Sequence, residues 1–174
     1  MSRTGRALTL GCMLLWAPLA LADNSLLVPA TGRCSLDTQD AYLKEAISLC
    51  QEAAAKGDAN ALYELGAFYY QGTRTTQSFA QALYYFEQAS LKGHAKAQLR
   101  LGEMYFKGQG VTANALQAYI VLKMSAINGE ESALDSADRV EETLLKEELT
   151  LAKQVLGQIF RGFMHNVQAQ GPYL

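Results

Sequence analysis

Along residues 46–133 apolar side chains recur in steps of three and four, and much of the pattern returns 36 residues later. Ala61, Leu65 and Tyr69 stand at i, i+4 and i+8, with Leu62 and Gly66 beside them. This spacing predicts a helix with one apolar stripe. Ala82, Tyr85, Phe86 and Ala89 follow at i, i+3, i+4 and i+7 and predict a second helix. Gly72 stands where the first helix must stop and Gly93 where the second must, as C-terminal glycines do.

The pair repeats. Ala97, Leu101, Gly102, Tyr105 and Gly108 match Ala61, Leu65, Gly66, Tyr69 and Gly72, and Ala118 matches Ala82. Gly57, Gly93 and Gly129 share one register. Ala46 and Ala53 precede Ala82 and Ala89 by the same interval. Residues 39–56 therefore read as a lone helix of the second type, with Asp37 or Thr38 as its N-cap. A glycine inside a helix costs about 1 kcal/mol relative to alanine. Gly66 and Gly102 recur in register within the packed stripe, so the expected compensation is a notch through which two helix backbones approach. Tyr69 and Tyr105, one turn on, can fill the volume beside it.

The third period departs. Ala137-Asp138 and Glu141 stand where Leu-Gly and Tyr are due. Leu145, Leu149, Ala152, Leu156, Phe160, Phe163 and Val167 then step by three or four, a long amphipathic helix that can cover the last exposed face. The expected fold is all-α: an α-solenoid of antiparallel helix pairs over residues 39–168. It comprises about two full repeats, an N-terminal half-repeat and C-terminal capping helices. Residues 169–174 read as a flexible tail.

Composition adds a compartment. Arg3 and Arg6, an apolar run from Ala7 to about Leu19, and Ala20-Leu21-Ala22 read as a secretory signal over residues 1–22, cleaved after Ala22. The run is short of the roughly 20 apolar residues of a spanning helix. Cys12 comes too early in it for a lipid-anchor site. Cleavage removes two arginines and no acid, leaving 13 basic against 17 acidic side chains. That balance gives no electrostatic footprint for nucleic acid or an acidic membrane surface. No stable membrane anchor is expected after cleavage. Export leaves Cys34 and Cys50, an even count that suggests a bridge in an oxidising compartment. Such a bridge would tie the leader, residues 23–38, over the first helix.

The pattern A-x-x-x-L-G-x-x-Y-x-x-G, followed by A-x-x-Y-F-x-x-A-S-x-x-G, resembles the Sel-one-like repeat, a relative of the tetratricopeptide repeat. It is carried by Ala61, Leu65, Gly66, Tyr69, Gly72, Ala82, Tyr85, Phe86, Ala89, Ser90 and Gly93. The second unit keeps a G-x-G-V loop at Gly108–Val111, where the first has Thr73-Arg74-Thr75. Val121 and Leu122 replace the aromatic pair.

The resemblance implies that the first helix of each pair lines a concave side. Opposite Leu65 and Tyr69 that helix carries Tyr63 and Tyr70, and the next unit carries Leu99, Glu103 and Phe106; Glu64 and Arg100 flank them. These seven are the expected partner-binding residues, an aromatic groove with a polar rim. The plain alternative is that neighbouring helices cover the rings.

Catalytic chemistry finds no constellation. His94 sits at a helix start, in the register of Asp58 and Glu130, and His165 lies near the C-terminus. There is no CxxC pair, zinc spacing or phosphate loop. The acidic run Glu130, Glu131, Asp135, Asp138, Glu141, Glu142, Glu147 and Glu148 falls on helices, not on a calcium loop, and reads as a solvated face. No catalytic residue, metal or cofactor is expected.

By resemblance the chain is expected to be a non-catalytic module of the periplasm or cell envelope, an adaptor, regulator or assembly factor with a protein partner. An immunity protein against a secreted toxin, or a component of a flagellar motor or exopolysaccharide machine, is an equal alternative. A cell-wall-modifying hydrolase is the rival of another class.

Overall fold

The structure is a computed structural model that describes residues 34–169. The expected signal segment, most of the leader and nearly all of the expected tail lie outside the described residues. Among the described residues there are seven helices and no strand. They are α1 (Asp40–Ala55), α2 (Ala59–Gln71), α3 (Phe79–Leu91), α4 (Ala95–Lys107), α5 (Ala115–Ile127), α6 (Ser132–Glu141) and α7 (Lys146–Ala169). Each packs on the next through α6, while α2, α4 and α6 touch side by side. The result is an all-α solenoid, with α1 as the half-repeat.

Polar side chains start these helices. The backbone N–H of Ala61 donates to Asp58 at 2.9 Å, that of Gln81 to Ser78 at 3.3 Å, and that of Gln117 to Asn114 at 2.9 Å. Gly72 and Gly108 close α2 and α4 at φ +65° and +68°. A β-carbon on either would crowd Gln77 or Ala113. The expected cap of α1 is not used. Gln39 stands at that position and no side chain caps the helix. The helix starts at Asp40, which leaves Asp37 and Thr38 outside the cap position. Asp40 itself joins the first turn, where a carboxylate is favoured by the helix dipole.

The in-register glycines do make notches, but the occupant differs from expectation. A β-carbon on Gly66 would lie 2.6 Å from Cδ1 and Cε1 of Phe86. One on Gly102 would lie 2.6 Å from Cγ of Leu122 and 3.3 Å from the carbonyl oxygen of Ala118. A side chain from the second helix thus enters the notch of the first, and in the second unit backbone closes in behind it. Phe86 and Leu122 are buried as a result. A fully buried side chain of this size contributes about 1.5–3 kcal/mol. Tyr69 fills the flank by stacking on Tyr85, centroids 5.8 Å apart. Polar bonds fix the register between units. Ser125 donates to the carbonyl of Ala95 at 2.8 Å, and buried Gln98 accepts from Asn128 at 2.7 Å.

Cys50 holds the position that Phe86 and Leu122 hold in the later units. No first-type helix precedes α1 among the described residues, so α1 needs another cover. Cys34 bonds to Cys50, their α-carbons 4.5 Å apart, and Leu36 packs with Cys50 and Leu65 in one buried cluster. The first loop explains its own departure from pattern. Arg74 stands where the second loop has Gly110, whose β-carbon would strike the backbone of Phe79. Arg74 instead donates to the Asp40 carboxylate at 2.7 and 3.0 Å and to the carbonyl of Leu36 at 2.9 Å. The loop therefore clamps the leader.

The C-terminal cap is only half buried. Leu149, Ala152 and Leu156 of α7 pack with the cluster around Tyr119 and Leu122. Leu145 is 66% exposed and Phe160 52% exposed, against expectation. Leu145 precedes the helix. Beyond Leu156 the cause is length: α5 runs about 20 Å and α7 about 36 Å at 1.5 Å per residue, so α7 overruns the helix it packs on. The side chains of Phe163 and Val167 lie outside those described.

Candidate functional site

The face made by α2, α4 and α6 holds all seven expected partner-binding residues, shared unequally between core and surface. Tyr63 is half-buried, its ring stacked on His94 at 4.7 Å and tilted against Phe86 at 5.9 Å. Tyr70 lies between Phe79 at 5.5 Å and Phe86 at 6.3 Å and donates its hydroxyl to Gln109 at 3.2 Å. Leu99 packs against the cluster that spans α5, α6 and α7. Phe106 remains exposed. Arg100 and Glu103 form an ion pair at 3.1 Å along α4. Burial, with the charge of Asp37 nearby, pushes the Glu64 carboxyl above the usual carboxylate range.

Two recesses open on this face. One, of about 400 Å³, is lined by Asn60, Tyr63, Glu64, His94, Lys96 and Glu130. The other, of about 160 Å³, lies between α4 and α6 beside Phe106. Sequence reasoning missed Arg139 and Ser136, which wall the second recess from α6. The period breaks in that unit, so register offered no signal for them.

His94 serves the fold. Its Nδ1 accepts from the backbone N–H of Ala97 at 3.2 Å and so caps α4. The proton of the neutral ring must then sit on Nε2, which faces Oδ1 of Asn60 at 3.2 Å. Burial pushes this imidazole below its ordinary value; a backbone hydrogen bond at His94 itself and the Asp58 charge pull the other way. His165 is exposed on α7. Among the described residues, no three His, Cys, Asp or Glu side chains are grouped to hold a metal ion.

The acidic run is partly tied down. Asp138 pairs with Lys123 and Glu141 with Lys153, both at 3.2 Å, and Glu141 accepts from the Tyr119 hydroxyl at 2.8 Å. A third groove, of about 550 Å³, lies where α7 leaves α5; Ile127, Leu134, Leu156 and Phe160 line it.

A family model described as Sel1 repeat matches residues 38–58, 59–94 and 95–129, just over half of the chain. The fold is similar to the crystal structure of a protective antigen of uropathogenic Escherichia coli with an SLR fold. That likeness has a TM-score of 0.65 and 26% identity and covers 73% of this chain and 27% of the other. It is also similar to a Sel1 repeat protein from Oxalobacter formigenes, with a TM-score of 0.53 and 26% identity over 55% of this chain and 39% of that one. The chain thus matches well under half the length of either. No curated protein matches the sequence.

Proposed function

Because the chain belongs to the Sel1-repeat family, we propose that it is a non-catalytic module that holds a protein partner on the face of α2, α4 and α6. Sel1-repeat proteins generally mediate protein–protein interactions, and the fold is typically non-catalytic. The observation that carries the proposal is the composition of this face. Apolar side chains of Tyr63, Leu99 and Phe106 reach the surface between charged Glu64, Lys96, Arg100 and Glu103, beside two recesses. Binding hot spots combine such anchors with a polar rim.

The reading extends to a place of action in the periplasm or cell envelope. The Cys34–Cys50 bridge supports an oxidising compartment, and the sequence of residues 1–22 supports export. No helix among the described residues is long and apolar enough to cross a membrane. Adaptor, regulator, assembly factor and immunity protein are the roles proposed for this face.

Affinity capture from periplasm tests the proposal. The wild-type chain is expected to retain one protein at near-stoichiometric amount. Lys96→Glu with Arg100→Glu is expected to lose it. Leu91→Ser, an 81% exposed position at the end of α3, is expected to keep it. Loss with Leu91→Ser and retention with the charge reversal would overturn the choice of face.

A further inference from the structure

The α2–α4 and α4–α6 contacts follow one register, but they are not filled alike. In the first, Tyr70 has a ring on each flank, Phe79 and Phe86. One period later Tyr70 becomes Phe106, Phe79 becomes Ala115 and Phe86 becomes Leu122. Phe106 has lost both rings. It is 38% exposed, and the space beside it is the 160 Å³ recess, with buried Leu122 and Val140 among its lining. The volume suits one aliphatic side chain.

The rim of this recess is positive. Lys107 ends α4, and Arg139 faces it from α6. Among the described residues neither forms an ion pair. Arg139 donates to the Ser136 hydroxyl at 3.0 Å and to the carbonyl of Asp135 at 3.3 Å, both neutral acceptors. Glu103, the one carboxylate in the lining, is already held by Arg100 at 3.1 Å. Two unpaired cations thus flank an apolar hole in a chain whose net charge is −2.

We propose that the recess beside Phe106 takes one apolar side chain of a partner peptide, while Lys107 and Arg139 pair with carboxylates on either side of that residue. This rests on the reading that the α2–α4–α6 face holds a protein, and it names the segment held there: acidic, with an apolar residue at its centre. The seated side chain supplies affinity, and the exposed cations supply selectivity and encounter rate. A basic segment is repelled at the same rim.

Three capped peptides test it, with isotope-labelled full chain followed by nuclear magnetic resonance. Their sequences are EDLED, EDAED and KKLKK. EDLED is expected to shift the resonances of Phe106, Lys107 and Val140, EDAED to bind about tenfold more weakly, and KKLKK to leave them unmoved. Leu122→Phe restores the ring of the first unit, closes the recess and is expected to cut EDLED affinity by about tenfold. Lys107→Glu with Arg139→Glu changes only exposed side chains, so it should preserve the fold. It is expected to transfer the preference to KKLKK.

Equal binding of all three peptides, no shift at these residues up to about 10 mM EDLED, or indifference to the charge reversal would overturn the proposal. A protein partner retained equally by the wild-type and charge-reversed chains would also overturn it and leave the wider reading standing. If no chain retains a partner from periplasm, the wider reading fails instead.

Discussion

The ring of Phe86 occupies the place a β-carbon on Gly66 would take, 2.6 Å from where that atom would sit. Gly66→Ala is therefore expected to destabilise the chain by about 1–3 kcal/mol, the usual range for overpacking, despite alanine's better helix propensity. Gly162 on α7 has nothing within 4 Å of its β-carbon position. Gly162→Ala is expected to stabilise by up to about 1 kcal/mol. Urea midpoints measure both, and the prediction is the opposite sign.

Reduction of Cys34–Cys50 frees the leader from α1. A loop of about 15 residues corresponds to roughly 3 kcal/mol in the chain-entropy account. Urea unfolding with and without reductant should show a loss of that order. Hydrogen exchange should rise first in α1, because α1 packs chiefly on α2 and the leader, while α4 and α5 keep their protection.

Acid should weaken the start of α4. Burial holds the folded-state value of His94 below its unfolded value of about 6.5, so the unfolded chain binds the proton more readily. The stabilising contribution is full above pH 6.5 and is lost as pH falls through the folded value. Protonation of Nδ1 also removes the acceptor for the Ala97 N–H. Asp58 opposes the shift and Lys96 reinforces it. His94→Asn keeps a capping side chain and should flatten the dependence of the urea midpoint between pH 7.5 and 5.5.

Tyr119→Phe removes the bond that joins α5 to the end of α6. The Tyr119 hydroxyl, and after it Lys153, holds Glu141 below the usual carboxylate range. Its titration, followed by nuclear magnetic resonance, should move up toward the ordinary value of about 4.3 in the variant. An unmoved Glu141 would show that Lys153 and Lys123 set it without the hydroxyl.

Register made the helix pairs, Gly66 and Gly102 legible in the sequence, because each repeats in a periodic slot, while the Cys34–Cys50 bridge was legible from an even cysteine count in an exported chain. What fills a notch was not legible. Spacing reports that a side chain is missing, not whether a neighbour's ring or backbone enters. Arg74 was opaque for a related reason: its partners, Asp40 and the carbonyl of Leu36, lie more than 30 residues away. The apolar step of α7 continues through Phe160 whether or not a neighbour extends that far, so periodicity overstated its burial. Of the face itself, the positions on α2 and α4 could be read by rotation around the helix. Arg139 and Ser136 on α6 could not, since the third period no longer matches the first two.

A hydrogen-exchange footprint of the chain, free and bound to its captured partner, decides whether the α2–α4–α6 face holds that partner. New protection is expected in residues 60–70, 96–107 and 136–140, on the three adjacent helices of one face. Protection confined to α1, α3 and α5, or to the exposed end of α7, would rule this face out.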